Sequence, residues 1–139
     1  MEPPPTPPVF SPLARALANQ GKLAEALIWC DRWIAADKLD AAAHYLRAVV
    51  LLEQGDLVQS HRSLRRTVYL QPDFVLAHFV LGNLARSGGR NGEADKHFSH
   101  ALHLLGRLPP HTLLPESDGL TAARLTATIT ALTSWEPAR

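Results

Sequence analysis

A chain of 139 residues with 46% apolar and 19% charged side chains is sized for one compact domain or one short array of repeated units, and a folded soluble protein is expected. A formal net charge of +1 argues against bulk attraction to nucleic acid, so no nucleic-acid partner is expected. The single cysteine, Cys30, cannot close an internal disulfide, which points to a reducing compartment, and the expected location is cytoplasmic.

The opening run MEPPPTPP has no basic segment followed by an apolar stretch of signal-peptide length. No later stretch approaches the roughly 18 uninterrupted apolar residues of a membrane span, so neither export nor membrane insertion is expected. Residues 1–8 read as an extended proline-rich linker. Ser11-Pro12 then offers a helix start, with a hydroxyl to cap free amides and a proline in the first turn. The first helix is predicted to run to about Gln20 with Leu13, Ala14 and Leu17 on one stripe. Gly21 supplies a left-handed residue past its end. A second helix carries Leu23, Ala26, Leu27, Cys30, Trp33 and Ile34 at steps of three and four, a helical and not a strand period.

The same grammar returns from Ala41 to Leu70 and from Phe74 to Leu105. The turn glycines Gly21, Gly55 and Gly89 recur at a constant interval of 34 residues. In the same phase, small residues recur at Ala14, Ala48 and Gly82 and at Ala26, Ser60 and Ala94, where helices approach closely. Bulkier groups fall at Cys30, Leu64 and Phe98, followed by Trp33, Thr67 and Ala101. From Arg107 the rhythm stops. A proline-containing connector, 107–119, leads to LTAARLTATITALTSW, a predicted terminal helix over 120–135 with Leu120, Leu125, Ile129 and Leu132 as apolar contacts. Its threonines lower intrinsic helicity, so docking onto the exposed end of the array must help hold it.

This pattern resembles the tetratricopeptide repeat, whose period is 34 residues. The third unit matches best, through Leu81-Gly82, Gly89, Ala94, Phe98 and Ala101. Lys38 and Gly106 stand where the family usually has the proline kept as Pro72, and Arg47 replaces a usual core leucine. The resemblance implies an all-α fold of three tandem helical hairpins, about 9–40, 41–74 and 75–106, forming a short right-handed superhelix with a C-terminal capping helix. The segments YLQPDFVLAHFVLGNLARSGGR and ALHLLGRLPPHTLLPESDGLTAARL further resemble the C-terminal repeat region of chemotaxis protein-glutamate methyltransferases of the CheR type. Leu114-Pro115-Glu116 and Asp118-Gly119-Leu120 through Arg124-Leu125 carry most of that likeness. It implies a noncatalytic docking arm of a chemoreceptor methyltransferase. The S-adenosylmethionine of such an enzyme would belong to a catalytic domain whose parallel sheet and glycine-rich loop this sequence does not contain. No cofactor is expected on this chain.

Residues with chemical potential are read as structural. His97, His100 and His103 follow one another at steps of three, which drift around a helix, so no metal site is expected. His44 and His78 occupy equivalent positions where the family often packs an aromatic ring. Arg62, Arg65 and Arg66 form a basic strip with His61 beside it, read as a solvated face. Cys30, among apolar neighbours and without a His or Asn motif, is read as core rather than nucleophile. No catalytic residue is expected.

The family's inner groove is lined by the first helix of each repeat, and the resemblance places there Arg15, Asn19, Tyr45, Val49, Leu52, Glu53, Leu76, Phe79, Asn83 and Arg86, with Ser11 at its margin. An apolar strip with a polar border suits an amphipathic helix or an extended peptide. A carboxylate clamp of the chaperone-binding kind is only partly echoed by Arg15 and Asn83, because Val49 and Phe79 sit where it needs polar groups. The expected function is a protein-interaction module for a protein or peptide partner, such as a chemoreceptor or another chemosensory-array component. A freestanding adaptor or a homodimerising scaffold is the alternative.

Overall fold

In the computed structural model, residues 7–134 are described; they form seven α-helices and, among the described residues, no strand beyond one isolated bridge. The chain divides after Pro72 into two compact units.

The first unit holds α1 (Pro7–Asn19), α2 (Leu23–Ala36), α3 (Ala41–Glu53) and α4 (Leu57–Leu70). Helix α1 starts at Pro7, five residues before the Pro12 start that a Ser11 cap predicts. Proline has no amide hydrogen, and first-turn amides have no acceptor within the helix, so Pro7 and Pro8 are well placed there. Ser11 is therefore interior, where its Oγ accepts a hydrogen bond from Arg15 Nε at 3.0 Å, and Pro12 also lies inside the helix. Of the expected linker, Pro7 and Pro8 are helical and residues 1–6 lie outside the described residues.

The turns repeat as the spacing predicts. Gly21 and Gly55 have φ of 75° and 84°, the left-handed conformation that glycine adopts without a Cβ penalty. Phe10, Ala14, Cys30 and Trp33 pack with Ala43 and Leu46 of α3, and the half-buried Trp29 and Ile34 close around them. Asp40 ties the first hairpin to the second. One carboxylate oxygen accepts from the Ala42 amide to cap α3, and the other accepts from Trp33 Nε1, both at 3.1 Å. Between α3 and α4 the seam is rich in hydroxyls, with Ser60, Ser63 and Thr67 buried beside Ala48 and Leu64. Ser60 Oγ donates to the Ala48 carbonyl and Thr67 Oγ1 to the Ser63 carbonyl, each at 2.8 Å.

The second unit holds α5 (Val75–Ser87), α6 (Asn91–Leu105) and α7 (Ala122–Ser134). Gly89, at φ 77°, makes the turn between α5 and α6. The seam of this hairpin is apolar, with Leu81, Ala85, Ala94, Phe98 and Ala101 all buried. The Phe98 ring lies directly on Gly82, where an added Cβ would come within 2.6 Å of it. Helix α7 packs against α6 through buried Ala122, Leu125 and Ile129.

The connector before α7 is more ordered than its prolines suggest. Leu114 is buried, the Leu114 amide donates to the Leu120 carbonyl, and the Ala122 amide donates to the Thr112 carbonyl, each at 2.9 Å. Within that loop the Leu120 amide donates to Ser117 Oγ at 3.0 Å. The threonines that weaken intrinsic helicity turn inward on α7 itself: Thr126, Thr128 and Thr133 each donate to the carbonyl four residues earlier, which satisfies the hydroxyls without an external partner.

Candidate protein-interaction surface

Each unit carries part of the set predicted to line a groove. In the first unit, α1 contributes half-buried Arg15 and exposed Asn19, and α3 contributes half-buried Val49 and Leu52 with exposed Glu53. Positions 49, 52 and 53 stand three and four residues apart and so share one face of α3. Tyr45 does not join them. It is 7% exposed and belongs to the interior, because α3 packs against both α2 and α4 and buries far more than one narrow stripe.

In the second unit, Phe79 and Asn83 are half-buried one helical turn apart on α5, with the Phe79 ring centroid 6.1 Å from that of Phe98. Two further residues of the set have other roles here. Leu76 is 6% exposed, in a run with Val75, Ala77 and His78 that is buried on every side. Arg86 is committed to the terminal helix, since its Nη1 donates to the Leu132 carbonyl at 3.1 Å. The last four carbonyls of a helix have no intrahelical donor, and Leu132 lies within the last turn of α7. That contact joins residues 46 apart, and no local pattern around Arg86 announces it.

The histidines assemble differently from their sequence spacing. Buried His78 of α5 lies 4.2 Å from the His100 ring and 6.3 Å from that of His97, centroid to centroid. His97 Nε2 is 3.9 Å from a Glu93 carboxylate oxygen. Among the described residues, no three His, Cys, Asp or Glu groups are arranged to hold a metal ion. Equivalent His44 places its Nε2 3.0 Å from the Lys38 carbonyl. Cys30 is fully buried. Burial, reinforced by the charge of Asp31, pushes its thiol up from 9.0 to about 12, with Arg47 and Arg15 pulling weakly the other way. At neutral pH it stays protonated and is a core residue. No helix among the described residues is long and apolar enough to cross a membrane.

The tetratricopeptide repeat model matches residues 13–41 and 45–104. DnaJ homolog subfamily C member 3 of Rattus norvegicus is 32% identical over 90 residues, a match that covers 65% of this chain and 18% of that protein. The chain thus spans under a fifth of that relative's length. Among solved structures, the type III secretion translocator chaperone SycD of Yersinia enterocolitica superposes with a TM-score of 0.76 at 13% identity, over 91% of this chain and 86% of SycD. MamA gives 0.70 at 22% identity, over 73% and 60%. The first repeat domain of Spaghetti (RPAP3), solved bound to the HSP90 peptide SRMEEVD, gives 0.68 at 19% identity, over 93% and 94%.

Proposed function

Because the chain belongs to the tetratricopeptide repeat family, we propose that it is a noncatalytic docking module that binds a segment of a protein partner on the faces of its first helices. One observation carries this reading: on α3, half-buried Val49 and Leu52 lie beside exposed Glu53, an apolar surface with a charged border that the helix leaves partly open to solvent. Such a face suits an amphipathic or extended segment with apolar anchors. Similarity to a DnaJ homolog, a translocator chaperone and a peptide-bound repeat domain supports a freestanding adaptor role at least as well as attachment to an enzyme.

Salt sets apart the two ways such a face can bind. With Val49 and Phe79 where a carboxylate clamp needs polar groups, apolar contacts dominate, and affinity for a captured partner peptide changes little between 50 and 300 mM salt, over which the Debye length shortens from about 14 to about 6 Å. A steep loss with salt, together with tight binding of an acidic C-terminal peptide such as SRMEEVD, would replace the apolar groove by a clamp.

A second reading rests on the connector, whose Leu114-Pro115-Glu116 and Asp118 to Leu125 resemble the repeat arm of chemoreceptor methyltransferases. In it the module raises the local concentration of a joined catalytic domain near receptor glutamates, and that domain, not this chain, would hold S-adenosylmethionine. Selective capture of a chemoreceptor cytoplasmic segment by the isolated chain supports this arm; capture of unrelated partners with no receptor among them leaves the freestanding adaptor.

A further inference from the structure

Arg47 occupies the position where its repeat would ordinarily bury a leucine, and the equivalent residue of the third hairpin, Leu81, is 1% exposed. In the first unit this guanidinium instead lines a shallow, open pocket of about 240 Å³ formed by α2, α3 and α4. Arg47 Nε pairs with Asp31 at 2.9 Å and its Nη1 donates to Ser63 Oγ at 2.7 Å. Ser63 is 4% exposed, so its hydroxyl anchors the Arg47 guanidinium from the buried side. Arg62 and Arg66, one turn apart on α4, line the same pocket, as does His44 of α3. Both arginines are exposed, and among the described residues neither has a carboxylate partner.

Three guanidiniums against one carboxylate leave a local charge of +2 in a compact hollow that Ser63 also lines. We propose that this pocket is a binding site for a phosphoryl group carried on a protein partner. Planar guanidiniums are matched to phosphate oxygens in bidentate geometry, and a phosphate monoester is close to a dianion at neutral pH, which balances the pocket's charge. A carboxylate would neutralise only half of it. The clustering of the three arginines around one small hollow, with Arg47 held in place by Asp31 and Ser63, favours a single compact anion over a lipid surface, to which a flat array of long cations is better suited. The pocket draws on α2 and α4 as well as α3, so this site is separate from the first-helix face proposed above and stands or falls independently of it.

The test is a titration of the full chain, followed by ¹H–¹⁵N NMR at the arginine Nε and the Ser63 amide. Sodium phosphate, an acetylated phosphoserine amide, its glutamate counterpart and anionic phosphatidylserine vesicles are compared at constant ionic strength. The site predicts saturable shifts at Arg47, Arg62, Arg66 and Ser63 with phosphate, and binding of the phosphoserine compound at least tenfold tighter than of the glutamate compound. Arg62→Gln with Arg66→Gln, both on solvent-exposed side chains, should weaken phosphoserine binding at least tenfold with the melting curve unchanged. Arg47→Leu, which restores the family's residue, should do the same while keeping the helical spectrum. Shifts equal to those in sodium chloride, unaltered affinity in the Arg62→Gln/Arg66→Gln protein, equal affinity for the glutamate compound, or binding to vesicles alone would each overturn the proposal.

Discussion

The second and third hairpins share a period, a glycine turn and a pattern of small and large residues, yet their seams differ in chemistry. In the third, α5 and α6 meet through Leu81, Gly82, Ala85, Ala94, Phe98 and Ala101, with no hydroxyl side chain among them. In the second, the corresponding seam buries Ser60, Ser63 and Thr67 and satisfies them with local bonds to Ala48, Arg47 and the backbone of α4. Two packing solutions therefore serve the same sequence of helix, glycine turn and helix. The aromatic ring filling the gap over Gly82 is matched in the second hairpin by Ala48 facing Leu64, in which a methyl group on one helix accompanies a smaller side chain on the other. The apolar seam gains more from burial per residue. The polar seam gives up part of that gain and acquires a half-buried arginine that lines a basic pocket.

The comparison can be broken first at its largest side chains. Phe98→Ala should cost about 3–5 kcal/mol in equilibrium denaturation, more than Leu64→Ala at the equivalent position, since the larger ring leaves the larger cavity. Equal costs would show that the seams are not distinct. Next comes the thiol of the first hairpin. Between pH 9 and about 12 the unfolded chain has lost the Cys30 proton while the folded chain keeps it, so the unfolded state binds fewer protons and stability falls as pH rises. The full effect is present below pH 9 and its loss approaches about 4 kcal/mol at the top of the window. Cys30→Ala should flatten that decline relative to the parent protein, and identical pH profiles would contradict the shift.

A smaller and sharper test exchanges the packing of one seam for that of the other. Gly82→Ala drives a methyl group into the Phe98 ring and should cost about 1–3 kcal/mol. Adding Phe98→Leu, which recreates the Ala48 and Leu64 pairing, should recover most of that loss, and a double variant no more stable than Gly82→Ala would refute the equivalence. At the low end, Arg86→Gln removes the bond to the Leu132 carbonyl, worth about 1 kcal/mol. Hydrogen exchange should quicken in the last turn of α7 and stay unchanged in α6.

Much of this was legible in the sequence because a 34-residue period writes the same local physics repeatedly. The glycine turns, the hairpin helices and the buried Ala26, Cys30, Trp33, Phe98 and Ala101 all follow from spacing. Helix α1 was misplaced because Ser11-Pro12 carries a genuine start signal, and only the structure shows that two earlier prolines can open the same helix. The candidate surface was less legible. A first helix packed on both sides buries positions that one-sided periodicity leaves open, which is why Tyr45 and Leu76 moved inside. Half-buried Arg86 is tied to α7 by one hydrogen bond, and Arg62 and Arg66 of α4 share a pocket with Arg47 and Ser63. Such long-range pairings leave no periodic trace.

If partners dock on the first-helix faces, charges placed there must prevent their capture. Val49→Glu and Phe79→Glu place charges on half-buried positions of α3 and α5 and, with circular dichroism confirming retained helix, should abolish retention of partners that the parent chain captures from its source extract. If the folded double variant retains the same proteins in the same amounts, recognition does not occur on these faces.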